Sequence, residues 1–131
     1  DRNYALQKAN DDVRNAYRMV YQATDAGLEA AVPGNTAADV FRAMNRVLET
    51  NGAKGGQVGR MGHGLGMQLT EWPSNAVFDN TVLENGMVLT LEPGMQFGEN
   101  KIMVHEENLV IRKEGPQLLT RRAPEELPVI R

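Results

Sequence analysis

Apolar residues return every three or four positions from about Asp11 onward: Val13, Ala16, Tyr17, Val20, Ala23, Gly27, Leu28 and Ala31. That period predicts a helix with one buried face. Asp11 and Asp12 sit at its start, where the helix dipole favours negative charge, and Pro33-Gly34 ends it. A second helix follows. Thr36 and Asp39 stand at capping-box spacing, with Asp where Glu or Gln is usual. Val40, Phe41, Met44, Val47 and Leu48 form its apolar stripe, and Asn51-Gly52 is a C-terminal stop. Ahead of both helices, residues 2–8 read as the tail of a strand.

The texture then changes. Residues 52–66 hold seven of the 13 glycines. Beyond them the period shortens toward two. Residues 67–71 read as a short strand, Glu84-Asn85-Gly86 as a turn, and 87–92 as a strand that Pro93-Gly94 breaks. Residues 101–112, rich in Ile, Val and Leu, read as a further strand; Glu114-Gly115 turns, and 116–120 pairs back. The polar tail from Arg121, with Pro124 and Pro128, is expected on the surface. Two helices, a glycine-rich stretch and a run of strands predict an α+β fold.

Composition narrows the function. At 131 residues, 41% hydrophobic and 24% charged, the chain suits one ordinary globular domain. The net charge is −3 and no basic block stands out, which argues against nucleic acid as a partner. Apolar runs are far too short to span a membrane, and neither a signal peptide nor a lipidation motif is visible. With no cysteine, disulfides, thiolate zinc sites and cysteine nucleophiles drop out together. A reducing, cytoplasmic setting fits that absence. Only His63 and His105 are histidines, so a metal site here must lean on carboxylates. The chain opens at Asp1, without a methionine and directly into patterned sequence, as a piece of a longer protein would.

Three places could carry chemistry. Gly62-His63-Gly64-Leu65-Gly66 sets a histidine between glycines, which permits a tight turn and leaves the imidazole open to a ligand; the plainer alternative is a loop histidine. Glu92 ends an apolar strand just before a proline. Alternation puts Val88, Thr90 and Glu92 on one face, so this carboxylate stands either at the sheet rim or against something cationic. His105-Glu106-Glu107-Asn108 interrupts a strand with three ionisable residues, and alternation sends Glu106 to the face opposite His105 and Glu107. Its plainer alternative is a charged edge strand. Together, one histidine and two strand-borne glutamates make a carboxylate-rich half-site. Two metal ions need more ligands than these three.

The segments GHGLG, TEWPS, ENGMVLTLEPG, HEENLVI and EGPQLLT, with VPGNTAADV before them, resemble the creatinase/prolidase/methionine aminopeptidase family of metallopeptidases, M24. The likeness is greatest to its Xaa-Pro dipeptidase (prolidase) and aminopeptidase P branch. His63 and Glu92 lie 29 residues apart, and Glu92 and Glu106 lie 14 apart, as in prolidase-like members. The resemblance implies the C-terminal portion of a pita-bread catalytic domain over residues 1–131, two helices followed by a curved antiparallel sheet. It further implies two divalent metal ions (Mn, Co, Fe or Zn) sharing a bridging water, and hydrolysis of a peptide bond.

On this likeness His63, Glu92 and Glu106 are metal ligands. Glu106 bridges both ions, and Glu92 and His63 take the catalytic roles, with Glu92 as proton relay. The family's two aspartate ligands would precede Asp1, since Arg2 matches the arginine that follows the second of them. The 131 residues alone would then be inactive. Two departures bear on substrate. Thr70 stands where the family has a second histidine, and Val104 where it has an arginine, so that His105 takes a position usually apolar. Thr70 and His105 are the substrate-pocket candidates. The expected partners are a small peptide or small-molecule substrate and, for the whole protein, a second copy in a homodimer. Two alternatives keep the scaffold: creatinase-like hydrolysis or lysis of a small non-peptide substrate, and a non-catalytic binding module.

Overall fold

The computed structural model describes residues 1–53 and 59–131; residues 54–58, inside the glycine-rich stretch, lie outside the described residues. The two predicted helices are α1 (Asp11–Ala30) and α2 (Ala37–Thr50). Asn10 caps α1 by accepting the Val13 N–H at 3.0 Å. The α2 capping box forms despite its Asp: Thr36 Oγ1 accepts the Asp39 N–H, and Asp39 Oδ2 accepts the Thr36 N–H at 2.9 Å. The Thr36 N–H and hydroxyl hold the Asp39 carboxyl below the usual range.

Among the described residues there are nine short strands: β1 (Ala5–Leu6), β2 (His63–Gly64), β3 (Glu71–Ser74), β4 (Val88–Leu91), β5 (Gly94–Gly98), β6 (Lys101–Val104), β7 (Glu107–Val110), β8 (Gln117–Leu118) and β9 (Val129–Ile130). Five make an antiparallel sheet in the order β3-β2-β4-β7-β8, while β5 pairs with β6 and β1 runs parallel to β9. Leu91 pairs with Glu107, Gly94 pairs with Val104, and between them the His105 N–H reaches the Pro93 carbonyl at 3.1 Å. These pairings share one register. β4–β5 and β6–β7 are thus the two arms of one long hairpin, interrupted where Glu92-Pro93 faces His105-Glu106. Pro93 has no N–H to return, so the ladder loses a bond there.

That interruption divides the strand expected at 101–112. The strand expected at 67–71 forms later, at Glu71–Ser74, and the hairpin arm at Gly94–Gly98 was not foreseen because its glycines and proline read as punctuation. The tail also departs from expectation. Ala123 and Leu127 are buried, and Val129–Ile130 pairs with β1. The core joins Tyr17, Val20 and Ala23 of α1 and Met44 and Leu48 of α2 to Leu89, Leu91 and Leu109 of the sheet. One sheet face is therefore dry, and the other is free to carry polar side chains. Among the described residues no helix is long and apolar enough to cross a membrane.

Candidate functional site

Continued one step past Leu91 and Glu107, the ladder sets Glu92 directly opposite Glu106. The next pair, Pro93 and His105, is the hydrogen-bonded kind. Glu92 and Glu106 are thus a non-hydrogen-bonded pair, the arrangement in which facing side chains stand closest. Like charges directly opposite repel unless a cation relieves them. The amine of Asp1 lies 2.8 Å from Glu106 Oε2.

His63 enters from the neighbouring strand β2. Its backbone N–H bonds Thr90 Oγ1 at 3.0 Å, and its Nε2 lies 3.0 Å from Glu92 Oε1. The Thr90 hydroxyl donates to that same Oε1 at 2.7 Å. His63 Nδ1 faces the Gly64 carbonyl at 2.9 Å. A carbonyl only accepts, so Nδ1 carries a proton. Nε2 then meets the Glu92 oxygen at 3.0 Å either as the N–H of a cationic ring or, on a neutral ring, as a lone pair that a bound cation joins to the carboxylate.

The glycines around His63 serve a purpose other than the one expected. The imidazole is not open: His63 is 6% exposed. Gly62, at φ +121°, has the Thr90 carbonyl oxygen 2.1 Å from where a Cβ would stand, and at Gly64 the Trp72 carbonyl oxygen would be 2.4 Å away. The glycines let β2 lie against its neighbours and so carry His63 to Glu92. Asn75, fully buried, clamps the same place with its amide on the Thr90 carbonyl at 2.9 Å.

Thr90, Glu92, Glu106 and Asn108 thus share the sheet face that His63 joins, and Glu106, Asn108, Thr120, Asp1 and Arg2 line one open cavity. Among the described residues no group of three or more His, Asp or Glu closes on a single point that could hold a metal ion. The structure joins His63 to Glu92, and it sets Glu106 across the ladder with its carboxylate turned to the Asp1 amine.

The opposite face holds Glu107 and His105. Glu107 is fully buried and accepts from the Ala123 N–H at 2.8 Å, Thr120 Oγ1 at 2.7 Å, Arg2 Nη2 at 2.9 Å and Arg122 Nη1 at 3.5 Å. Burial alone would raise its pKa; the Ala123 amide, the Thr120 hydroxyl and Arg2 outweigh it and hold the carboxyl below its ordinary value. His105, 1% exposed, packs edge-on against Tyr17 with ring centroids 4.7 Å apart, and neither ring nitrogen has a partner. Burial, then the Arg122 charge, lowers its pKa to about 4, so the ring is neutral. His105 is enclosed beneath the sheet by α1 and does not open onto the Glu92–Glu106 face. Thr70 is exposed in the turn between β2 and β3. The charged run at 105–107 is no edge strand either, because β7 lies between β4 and β8.

Sequence reasoning missed several members of this arrangement. Thr90 could have been found, since alternation already placed it beside Glu92. Glu107 carried a weaker signal: a charge on the inward face must be paired. Nothing local marks Arg122 or Asn75.

The profile of metallopeptidase family M24 matches residues 1–114. The chain is 31% identical over 120 residues to the Xaa-Pro dipeptidase of Pyrococcus furiosus, covering 92% of the chain and 34% of that protein. Among solved structures it is similar to the X-Pro aminopeptidase of Thermotoga maritima, with a TM-score of 0.90 at 25% identity over 98% of the chain and 36% of that one. Dipeptidase PepE of Mycobacterium ulcerans gives a TM-score of 0.89 at 32% identity, covering 98% and 34%. The chain spans about a third of the length of the relatives it matches. Its helices and antiparallel sheet are those of the pita-bread fold, and by profile, identity and architecture alike the chain belongs to metallopeptidase family M24.

Proposed function

We propose that this chain is the C-terminal portion of the catalytic domain of a metal-dependent peptidase of the Xaa-Pro dipeptidase type. His63, Glu92 and Glu106 would be its share of the metal ligands. The observation that carries the reading is the contact between His63 Nε2 and Glu92 Oε1 at 3.0 Å, with Glu106 next across the ladder. An imidazole lone pair and two opposed carboxylates form a mixed nitrogen and oxygen donor set that a borderline divalent cation satisfies. When bound, such ions supply Lewis-acid activation of water and of the scissile carbonyl.

The chain's own residues prepare that chemistry. The Gly64 carbonyl fixes the His63 tautomer and so aims Nε2 at the site. The Thr90 hydroxyl bonds one oxygen of Glu92, leaving the other available to take and return a proton, and Glu92 is the relay on this reading. Glu106 adds negative charge on the same face. Ligands beyond these three come from sequence outside the chain, and the 131 residues alone do not hydrolyse peptides.

The test is hydrolysis of Xaa-Pro dipeptides by the full-length protein reloaded with Mn²⁺, Co²⁺ or Zn²⁺, with elemental analysis alongside. About two ions per chain, and a loss of turnover of at least about a hundredfold in Glu92→Gln, support the reading. Turnover by the isolated 131 residues overturns the claim that they are inactive. Thr70 and Val104, both unlike the family pattern, favour a second reading on the same scaffold, with a small non-peptide substrate. Cleavage of amidine or betaine-like compounds, with no Xaa-Pro cleavage at any metal loading, would establish it over the first.

A further inference from the structure

The residue behind Glu106 is built in more firmly than Glu106 itself. Glu107 is fully buried and receives four donors from two separate stretches: Arg2 near one end of the chain, and Thr120, Arg122 and the Ala123 amide near the other. Each arginine then reaches further. Arg2 Nη1 donates to the Glu106 carbonyl at 2.6 Å and to the Asp1 carbonyl at 2.8 Å. Arg122 Nη2 donates to Asp25 Oδ1 at 2.6 Å and to the Tyr21 carbonyl at 3.2 Å, and its guanidinium lies 4.1 Å above the Tyr21 ring. The network therefore runs from helix α1 through Arg122 to Glu107, and through Arg2 to the backbone of Glu106.

Stability alone is a poor reason for this network. A buried ion pair is often no better than apolar side chains of the same volume. Glu107 occupies an inward position of β7, two residues from Leu109 and paired with Leu91, both fully buried and apolar. An aliphatic side chain suits such a place. What the network adds is direction. Alternation turns Glu107 and Glu106 to opposite faces, so anchoring one behind the sheet fixes where the other points in front. The anchor falls just where Pro93 deprives the hairpin of a ladder bond.

We propose that Glu107, held by Arg2 and Arg122, is a positioning residue that sets the Glu106 carboxylate against Glu92 for metal binding; this rests on the metal reading above. The test uses the full-length protein and Co²⁺ alone, titrated against a chromophoric chelator, with the visible Co²⁺ absorption recorded. Groups that orient metal ligands are typically worth tenfold to a hundredfold in affinity. Glu107→Gln is expected to weaken Co²⁺ binding about tenfold or more and to alter the absorption bands, while Glu107→Asp, which keeps the charge, recovers most of the affinity. Arg122→Met carries the same test should Glu107→Gln not fold, with a several-fold loss expected. Thr36→Ala, which loosens α2 away from the site, is expected to lower stability and leave Co²⁺ affinity unchanged. A folded Glu107→Gln with the parent's affinity and spectrum overturns the proposal. A parent that binds no Co²⁺ overturns the metal reading itself, and this proposal with it.

Discussion

Replacing Gly64 by alanine tests whether glycine is there for proximity or for freedom. The backbone at Gly64 lies outside the positive-φ region, so alanine pays nothing for conformation. Its Cβ, however, would stand 2.4 Å from the Trp72 carbonyl oxygen and 2.7 Å from the carbonyl carbon, where ordinary contact begins at 3.4 Å. Strand β3 and β2 must therefore part by about 1 Å, and the obstacle is backbone, which has no rotamer to escape into. Overpacking of this kind costs about 1–3 kcal/mol, and the upper end is expected here. His63 is the adjacent residue, so its 3.0 Å contact with Glu92 is expected to lengthen too. Urea denaturation of the full-length protein reads the first effect as a lower midpoint at unchanged slope. The matched control is Gly115→Ala. Gly115 has φ +117° but nothing within 4 Å of a Cβ, so only the conformational cost applies, about 1–3 kcal/mol, and His63 is left undisturbed. If Gly64→Ala costs less than about 1 kcal/mol, the proximity argument is wrong.

Other substitutions probe the same logic. Thr90→Val removes the hydroxyl between His63 N–H and Glu92 and strands a buried N–H, so about 1–3 kcal/mol of stability is expected to go, together with activity; calorimetry showing no loss would mean another acceptor takes over. His105→Leu removes two unpartnered ring nitrogens from an apolar setting and is expected to be neutral or stabilising by about 1 kcal/mol in denaturant titrations, whereas a loss above that would reveal a hidden partner. Thr36→Ala should cost about 0.5–2 kcal/mol through the lost cap. Because the folded Asp39 carboxyl titrates below its unfolded value, the capping box helps above the unfolded pKa and fades as pH falls through the folded one. The deficit of Asp39→Asn relative to the parent should therefore shrink on strong acidification, and a pH-independent deficit would contradict the assignment.

The helices were legible because their information is local. A 3.6-residue stripe, Asp11-Asp12 or Thr36 at the start and Pro33-Gly34 or Asn51-Gly52 at the end all act within a few residues. Strands were less so. Register is a relation between distant segments, and the single register that joins Leu91–Glu107 to Gly94–Val104 leaves no mark in either segment alone. Glycine misled for the same reason. Read locally, it means a turn; at Gly64 it means that Trp72, eight residues on, lies too close for any side chain.

The candidate site divides along the same line. Thr90, Glu92, Glu106 and Asn108 fall on one face by alternation, so two strands and one pairing suffice to assemble them. His63 needs the β2–β4 contact as well, which the motif GHGLG encodes through what its glycines permit. Glu107 is the instructive residue. In sequence it is one more charge in a run of three, and its neighbour draws the attention because its spacing from Glu92 fits a metal site. In the fold, Glu107 is the buried one and Glu106 is partly open. Burial needs paired charge, the pairing recruits Arg2 and Arg122 from the two ends of the chain, and those arginines bind the strand that carries Glu106. Spacing singles out Glu106, but what holds its strand in place is long-range, 105 residues away in one direction and 15 in the other.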